Sequence, residues 1–413
     1  MKKILILFIA LLVLVSCDLF SGSGDDSHDQ FLLSNNKEIT IVGDTVYFYE
    51  EDPDSNDILG KTAKPDKKKK DIGYDVILSA KIPAVIVESL PVHANDIVIK
   101  GNKAYIAYNY AGEIFRGAIQ IVDIGDKDEP EIIEEILMPS MDINALYIDG
   151  NDLIFGGAAD PDIWNFKSFI GKINTKKIKP NEIAESITEL PSHALTGIAA
   201  KGKYYHVTVG AEKGKLIKLS KKDFKIDKTL DLSDARDVEE YESGVVVISG
   251  TTDNTSGSGK VSIVFEHYND PYEILINDFG SDYHKATIEV FEGNTALLAL
   301  SEAGFKVVDL KRGRIVYEAK NPELADGLPY TNSVSSDDDL IFSANGEWGF
   351  RVFSVSGKKF DETNLVGYYP YDDTINNSGQ KYSANHVEYK SKQLFVACGV
   401  GGVEVFYLEE DED

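Results

Sequence analysis

The chain has 413 residues and a formal net charge of −27 at pH 7. This acidity argues against nucleic acid as a partner, because phosphate groups are bound by basic patches. It argues equally against flat docking on anionic lipid. The basic cluster at residues 67–70 is flanked by Pro65, Asp66 and Asp71, which is typical of a solvated loop.

The first residues have the pattern of an export signal. Lys2 and Lys3 precede an apolar run at residues 4–15, which has the length of a signal peptide and is too short to span a bilayer. The run ends in LVSC at residues 14–17, which resembles the lipobox of bacterial lipoproteins. That resemblance implies a signal peptide over residues 1–16 and a lipid on Cys17. The alternative is an ordinary secretory signal with an incidental cysteine.

The segment from Cys17 to residue 30 is rich in Ser, Gly and Asp, and it is predicted to be a flexible tether before a folded part at residues 31–413. With a lipid on Cys17, we expect the protein at the bacterial cell envelope, bound to the membrane through that lipid. The outer membrane or the cell surface is favoured over the inner membrane, although Asp18 resembles an inner-membrane retention signal of enteric bacteria. Cys398 would then be the remaining cysteine, so no disulfide is expected in the mature chain.

A repeated pattern occupies most of the folded part. Two runs of alternating apolar residues, joined by a turn that contains glycine, recur at residues 36–48, 94–106, 143–155 and 288–299. Weaker copies begin near residues 193, 234, 331 and 385. This pattern is typical of β-hairpins. A third alternating segment follows each hairpin, and in most repeats a fourth follows, as at residues 84–88 and 131–136.

The repeats predict an all-β fold. Four short strands in each of eight units, with a period of about 40 to 60 residues and no sustained helical periodicity, indicate a β-propeller of eight four-stranded blades. Seven blades are the alternative, if one weak repeat is not a blade. The last repeat ends after its third strand, while residues 31–33 form a spare apolar segment before the first repeat. We therefore predict that residues 31–33 pair as the outer strand of the last blade and close the ring.

The third segments carry a recognisable motif, IQIVD at residues 119–123 and FKVVD at residues 305–309. This motif resembles the LVIVD-repeat family of extracytoplasmic β-propellers, although residues 171–174 and 216–219 depart from it. The resemblance implies a surface or periplasmic repeat protein without an agreed activity. It brings no catalytic residues to this sequence.

Standard catalytic signatures are absent from the sequence. Residues 256–260 lack the first glycine and the hydroxyl residue of a phosphate-binding loop. Residues 52–57 alternate oxygen ligands but lack the glycine and the closing glutamate of a calcium loop, so a loose calcium site is only an alternative to a polar loop. The motifs G-x-S-x-G and H-E-x-x-H do not occur. No catalytic residue, metal ligand or cofactor is therefore assigned.

The placement of histidines points to one end of the predicted ring. Four of the seven fall near the start of a repeat's first strand, namely His93, His193, His284 and His386. Because the first strand of each blade lines the central channel, these side chains should surround one mouth of it. The candidate ligand site is completed by polar residues at comparable positions: Asn95, Asp142, Asn144, Asp234, Asp237 and Asn332. A site for a polar ligand or sugar competes with two alternatives, a metal site and polar groups that merely satisfy the backbone.

The pattern as a whole favours a non-catalytic binding module or scaffold for a protein, a peptide or a glycan. Aromatic residues in loops, Trp164, Trp348 and residues 368–371, are candidates for sugar stacking or partner contact. The alternative is an envelope enzyme, such as a glycan lyase or hydrolase that uses His and Asp at the channel mouth. A deep pocket with converging titratable groups would favour the enzyme, and a broad shallow face rimmed by aromatics would favour the scaffold.

Overall fold

The alternating apolar segments fold as short antiparallel strands. A computed structural model describes residues 31–34, 38–46, 74–127, 129–210, 213–250, 257–280, 285–291, 293–321, 329–337, 340–356, 360, 362–371 and 379–410. The strands before the first blade are β1 (Leu32–Ser34), β2 (Thr40–Val46), β3 (Tyr74–Ile82), β4 (Ile86–Val87) and β5 (Leu90–Pro91). The blade strands of the first half are β6 (His93–Lys100), β7 (Lys103–Asn109), β8 (Gly117–Asp123), β9 (Glu131–Met138), β10 (Met141–Asp149), β11 (Asp152–Ala159), β12 (Ser168–Asn174), β13 (Thr188–Leu190), β14 (Leu195–Lys201), β15 (Tyr204–Val209), β16 (Lys215–Ser220) and β17 (Ile226–Asp231). Those of the second half are β18 (Ala235–Tyr241), β19 (Gly244–Gly250), β20 (Gly259–Phe265), β21 (Tyr272–Ile276), β22 (Thr287–Phe291), β23 (Thr295–Ala299), β24 (Phe305–Asp309), β25 (Arg314–Ala319), β26 (Ser333–Ser336), β27 (Leu340–Ala344), β28 (Phe350–Ser356), β29 (Glu362–Tyr369), β30 (His386–Lys390), β31 (Gln393–Ala397) and β32 (Val403–Glu410).

These strands form a β-propeller of seven blades within the described residues. The first six blades are β6–β9, β10–β13, β14–β17, β18–β21, β22–β25 and β26–β29, each running from the inner to the outer strand in chain order. The seventh consists of β30, β31, β32 and β3, so its fourth strand comes from the other end of the chain. The predicted propeller is confirmed, and the prediction of eight blades is wrong.

The first repeat closes the ring instead of forming a blade. β3 pairs antiparallel with β32 from Tyr74 opposite Glu410 to Ile82 opposite Val403, and β2 pairs with the outer side of β3. The ammonium of Lys81 lies 2.9 Å from the carboxylate of Glu404 and adds an ion pair to this seam. The seam thus joins the two ends of the chain in one sheet.

A glycine explains why the first repeat resembles a blade. In the inner hairpins of the first two blades, Gly101 and Gly150 stand in the turns with φ of 60° and 66°. Gly43 has a similar φ of 78°, but it lies inside β2, where the register with β3 shifts between Ile41 and Asp44. The residue therefore serves a β-bulge, and a positive φ at glycine is compatible with either role.

The spare segment at residues 31–33 pairs with a different blade from the one predicted. β1 lies against β9 as the fifth strand of the first blade, with Leu32 opposite Leu137. Phe31 is buried and packs edge-on against Trp164, with ring centroids 6.1 Å apart. Since β3 and β2 already cover the outer edge of the seventh blade, β1 protects the edge of the first.

The hydrophobic core lies between neighbouring blades. Phe305 of the fifth blade meets Phe353 of the sixth with centroids 4.9 Å apart, and Phe350 of the sixth meets Phe406 of the seventh at 5.1 Å. Burying one such side chain contributes about 1.5–3 kcal/mol. This packing holds each blade at a fixed angle to the next, which fixes the shape of the channel.

A few elements lie outside the blades. Residues 84–88, predicted as a fourth strand, form only β4, which makes a small hairpin with β5. Two short helices, α1 (Pro161–Trp164) and α2 (Pro180–Ser186), occupy loops in the described chain, each with proline in its first turn. Within these residues, no helix has the length and apolar character needed to cross a membrane.

Candidate functional site at the central channel

The inner strands of the blades enclose a cavity of about 900 Å³. Its wall is formed mainly by β6, β10, β14, β18, β22, β26 and β30. Side chains alternate along a strand, so every second residue of each inner strand faces the channel. The volume is in the range of small-molecule sites.

A ring of polar side chains joins neighbouring blades at the end of the channel where the inner strands begin. In this entrance ring, each residue donates a side-chain hydrogen bond to a main-chain carbonyl of the next blade, at 2.9–3.3 Å. The bonds described are Asn95 to Ile143, Asn144 to Leu195, Thr196 to Ala235, Asn332 to Ala384 and Asn385 to Ala94. These residues stabilise the ring, so for them the structure supports the alternative in which polar groups satisfy the backbone.

A recurrent β-bulge places part of this ring. The inner hairpins of the first four blades each shift register at the same point, and the extra residues are Asn95, Asn144, Thr196 and Arg236. A bulge re-aims the side chain of the extra residue. It therefore turns one polar group toward the neighbouring blade without disturbing the alternation that follows.

The next channel-facing position carries polar side chains, which we call the first tier: Asp96, Asp237, Ser333 and His386. Asp96 Oδ2 accepts a hydrogen bond from the Leu146 amide at 2.9 Å, and Asp237 Oδ2 accepts one from Ile288 at 3.0 Å. Ser333 Oγ accepts the Val387 amide at 3.2 Å. Each contact again reaches the next blade, so these side chains both line the cavity and hold its walls together.

His386 and Asp96 form a close titratable pair in the cavity. Their atoms Nδ1 and Oδ1 lie 3.3 Å apart. Burial lowers the pKa of His386 well below its usual value, and Lys285 lowers it further, so the imidazole is neutral at neutral pH. Burial also raises the pKa of Asp96, against the opposing effect of Lys285.

A second tier lies two residues further along the strands and consists of Glu239, Glu289, Ser335 and Glu388. Glu289 Oε1 accepts the Ser336 hydroxyl at 2.7 Å and its amide at 3.2 Å. Burial raises the pKa of Glu289 to about 7 and, together with Glu289 and Asp96, raises that of Glu388 to about 8. Burial and then the charge of Asp237 raise the pKa of Glu239 well above its usual value. The carboxylates therefore repel one another when they are ionised.

Two cations face these acids. Arg236 pairs with Asp234 at 2.7 Å. Lys285, which precedes β22, extends across the channel, where its Nζ donates to the main-chain oxygen of Asn95 at 2.5 Å and lies 3.4 Å from that of Asn385. Burial lowers the pKa of Lys285, while Asp96 and Asp237 raise it.

Two neighbouring blades carry no charged side chain at the first tier. At first-tier positions, the second and third blades carry Ala145 and Gly197. A Cβ at Gly197 would lie 2.4 Å from Asp237 Oδ1, so the close approach of that carboxylate requires glycine. Burial raises the pKa of Asp237 to about 7, and the Ile288 amide opposes that shift.

The structure separates the remaining predicted site residues. His193 is exposed at the rim of the cavity, whereas His93 packs edge-on against Tyr110 and does not line it. Asp142, also outside the lining, accepts the amides of Tyr110 and Arg116 and so fixes the loop after β7. His284 lies outside the described residues, as do residues 1–30, 52–57 and 67–70. The complete circle of histidines is therefore not observed.

The metal and aromatic alternatives find little support in the described chain. No group of three or more His, Cys, Asp or Glu side chains there has the geometry to hold a metal ion. Tyr368 and Tyr371 are buried in the core, and Trp164 packs on Phe31 and donates to Ser140 Oγ at 2.9 Å. These aromatic side chains stabilise the fold.

Comparisons with known proteins agree on the fold. The chain matches no family model, and no curated protein shows significant similarity to it. The crystal structure of the RRP9 WD40 repeats superposes with a TM-score of 0.57 at 12% identity, covering 79% of this chain and 99% of that one. The structure of U3-55K gives 0.57 at 11% identity, covering 78% and 98%. At such identity the similarity shows the β-propeller fold alone.

Sequence reasoning missed the cavity's most charged residues, namely Asp96, Glu239, Lys285, Glu289 and Glu388. The predicted site residues lie only near the starts of the inner strands. The signal that identifies them is a charged residue at alternate positions of an otherwise apolar inner strand, as in Asp237-Val-Glu239 and His386-Val-Glu388. A charged side chain at such a position must face either the hydrophobic core of the blade or the channel. Facing the channel costs less free energy, because the charge is not buried among apolar side chains.

Proposed function

We propose that this protein is a non-catalytic binding module of the bacterial cell envelope, anchored by a lipid on Cys17. The lipobox resemblance and the tether at residues 17–30 support the anchor, and the third-strand motif supports membership in the LVIVD-repeat family. β1 begins at the outer edge of the first blade. A tether that leaves from there would keep the channel free for a ligand.

The observation that carries this proposal is the cavity of about 900 Å³ with exposed His193 at its rim. Side-chain to backbone bonds between blades hold its wall, as in Asn332 to Ala384 and Asp96 to Leu146. A preorganised wall reduces the entropic cost of binding. A protein, peptide or glycan that presents a polar group to this end of the ring is the expected ligand.

The enzyme alternative rests on His386 and Asp96, since they are the pair that converges in a deep pocket. Asp96 Oδ2 already accepts a hydrogen bond from the Leu146 amide of the next blade, so this side chain has a structural role in the wall. These contacts favour binding. Hydrolysis or elimination of envelope glycans by the purified protein, lost in His386→Asn, would instead support a glycan lyase or hydrolase.

Site-specific photo-crosslinking in intact cells tests the binding face. A crosslinker at His193 should capture a partner from the envelope. The matched control is a crosslinker at the exposed Asn151, which lies in the β10–β11 turn at the opposite end of the ring. Equal capture at both positions, or none at His193, would contradict the proposal.

The anchor has its own test. The wild-type chain should fractionate with membranes and carry acyl chains at Cys17 by mass spectrometry. Cys17→Ala should be unmodified and should not be anchored. If the wild type and Cys17→Ala fractionate identically and the wild type carries no acyl chains, the proposed lipid anchor is wrong.

A further inference from the structure

The cavity collects carboxyl groups whose negative charge, when they ionise, its own cations do not balance. Arg236 is paired with Asp234. The carboxylates that remain are Asp96, Asp237, Glu239, Glu289 and Glu388. Among the described residues that line the cavity, Lys285 supplies the single ammonium group they face. When ionised, these unbalanced groups are acceptors rather than donors, and a cation bound among them favours the ionised form.

An unpaired buried acceptor at the mouth indicates the same chemistry independently. Asn95 is 8% exposed and borders the cavity. Its Nδ2 donates to Ile143, but nothing in the described part of the chain donates to its Oδ1. A buried acceptor without a partner is unfavourable, because it has lost its hydrogen bonds to water. A ligand that brings a hydrogen-bond donor would remove that cost.

An uncharged stretch of wall restricts what carries the donor. At first-tier positions, Ala145 and Gly197 line the cavity between the blades of Asp96 and Asp237. Asp237 fills the space beside Gly197, so the open stretch of this wall is at Ala145. A slender apolar chain can lie against Ala145, because its methyl side chain is small and the contact removes apolar area from water.

We propose that this cavity binds a primary ammonium group carried on an unbranched alkyl chain, as in a linear polyamine or a lysine side chain. The inference deepens the proposed function by naming the ligand class of the same site. An ammonium has three donors and no acceptor, which complements a wall of carboxylates and an unpaired amide oxygen. Lys285 shows that the channel accommodates such a group, since its Nζ sits between carbonyl oxygens of the first and seventh blades.

Calorimetry on the intact mature protein tests the chemistry. The probes are cadaverine, spermidine and Nα-acetyl-lysine amide, with neutral 1,5-pentanediol and donor-free tetramethylammonium as controls. The three amines should release or absorb heat with saturation, and the controls should not. Binding of the free amines alone identifies a small-molecule ligand, and binding of the lysine amide identifies a protein side chain. The inference is overturned if none of the three amines gives a heat of binding, or if tetramethylammonium binds as tightly as they do.

Two variants of opposite sign separate recognition from a general loss of structure. Glu388→Gln, which removes one cavity charge, should weaken amine binding about tenfold. Lys285→Met, which removes the internal competitor, should tighten it about tenfold. Glu189→Gln, at an exposed residue of the outer strand β13, is the matched control and should change nothing.

The outcomes of the variant experiment are distinct. A structural effect would weaken binding in both Glu388→Gln and Lys285→Met, and that result would overturn the inference. So would unchanged affinity in Glu388→Gln. If amines fail to bind while a crosslinker at His193 still captures a partner, the ammonium inference fails and the proposed function stands.

Discussion

The entrance ring and the two tiers beneath it lie on the same inner strands, yet their polar groups are used differently. In the ring, amides such as Asn332 and Asn385 are neutral and bonded to the next blade. In the tiers, Asp237 and Glu388 are ionisable groups whose pKa burial raises to about 7 and about 8. The polar mouth and the polar channel are therefore separate features. The first stabilises the ring, while the second carries a cost in stability that a ligand can offset.

The largest effect is expected from removing the cation of the tiers. Lys285→Met should destabilise the protein by about 3 kcal/mol at about pH 8.5, because acids that face one another lose their partner. At about pH 6.5 those acids are more protonated, so the loss should be smaller. Urea unfolding at both values measures it, and an equal loss at both would contradict the assignment of Lys285 to the acidic tiers.

Removing one acid should have the opposite sign. Glu388→Gln should stabilise the protein by about 2 kcal/mol at about pH 8.5 and by little at about pH 6.5, since the amide does not ionise. Glu189→Gln serves as the control and should be neutral at both. Destabilisation by Glu388→Gln at the higher pH would contradict this prediction, because it would show that other groups stabilise the ionised carboxylate.

The smallest effect is expected in the ring. Asn332→Ala removes one hydrogen bond to Ala384 and should cost about 1 kcal/mol at either pH. The variant should keep the amine affinity of the wild type. A loss that grew with pH would mean that the ring and the tiers do not act separately.

These differences also explain how much the sequence could reveal. Alternating strands and turn glycines predict blades wherever a genuine hairpin occurs, as at Gly101 and Gly150. The blade number fails at Gly43, because a bulge and a turn use the same backbone conformation. Two of the predicted site residues, Asp237 and His386, line the cavity. Its deeper acids were missed because the position of a charged residue across the ring depends on the closure of the whole propeller.

The pH dependence of stability follows from the same groups. Burial raises the pKa of Asp237, Glu289 and Glu388 in the folded chain to about 7, 7 and 8, from ordinary values of 3.8, 4.5 and 4.5. Between these values the folded chain retains protons that the unfolded chain has lost. The free energy of unfolding therefore falls as pH rises from about 4 to about 8. Burial lowers the pKa of His206 to about 4 and also lowers that of His93 and His386, so these groups reduce stability only below about pH 6.5.

The most direct measurement of the central claim is the free energy of unfolding of the wild type at about pH 6.5 and about pH 8.5, in high salt to screen the surface charge. Uncompensated carboxylates in the channel should make the protein less stable at the higher value, by about 1 kcal/mol per pH unit. A saturating linear amine should remove most of that slope. Stability that is unchanged or greater at about pH 8.5 would contradict an acidic channel that awaits a cation.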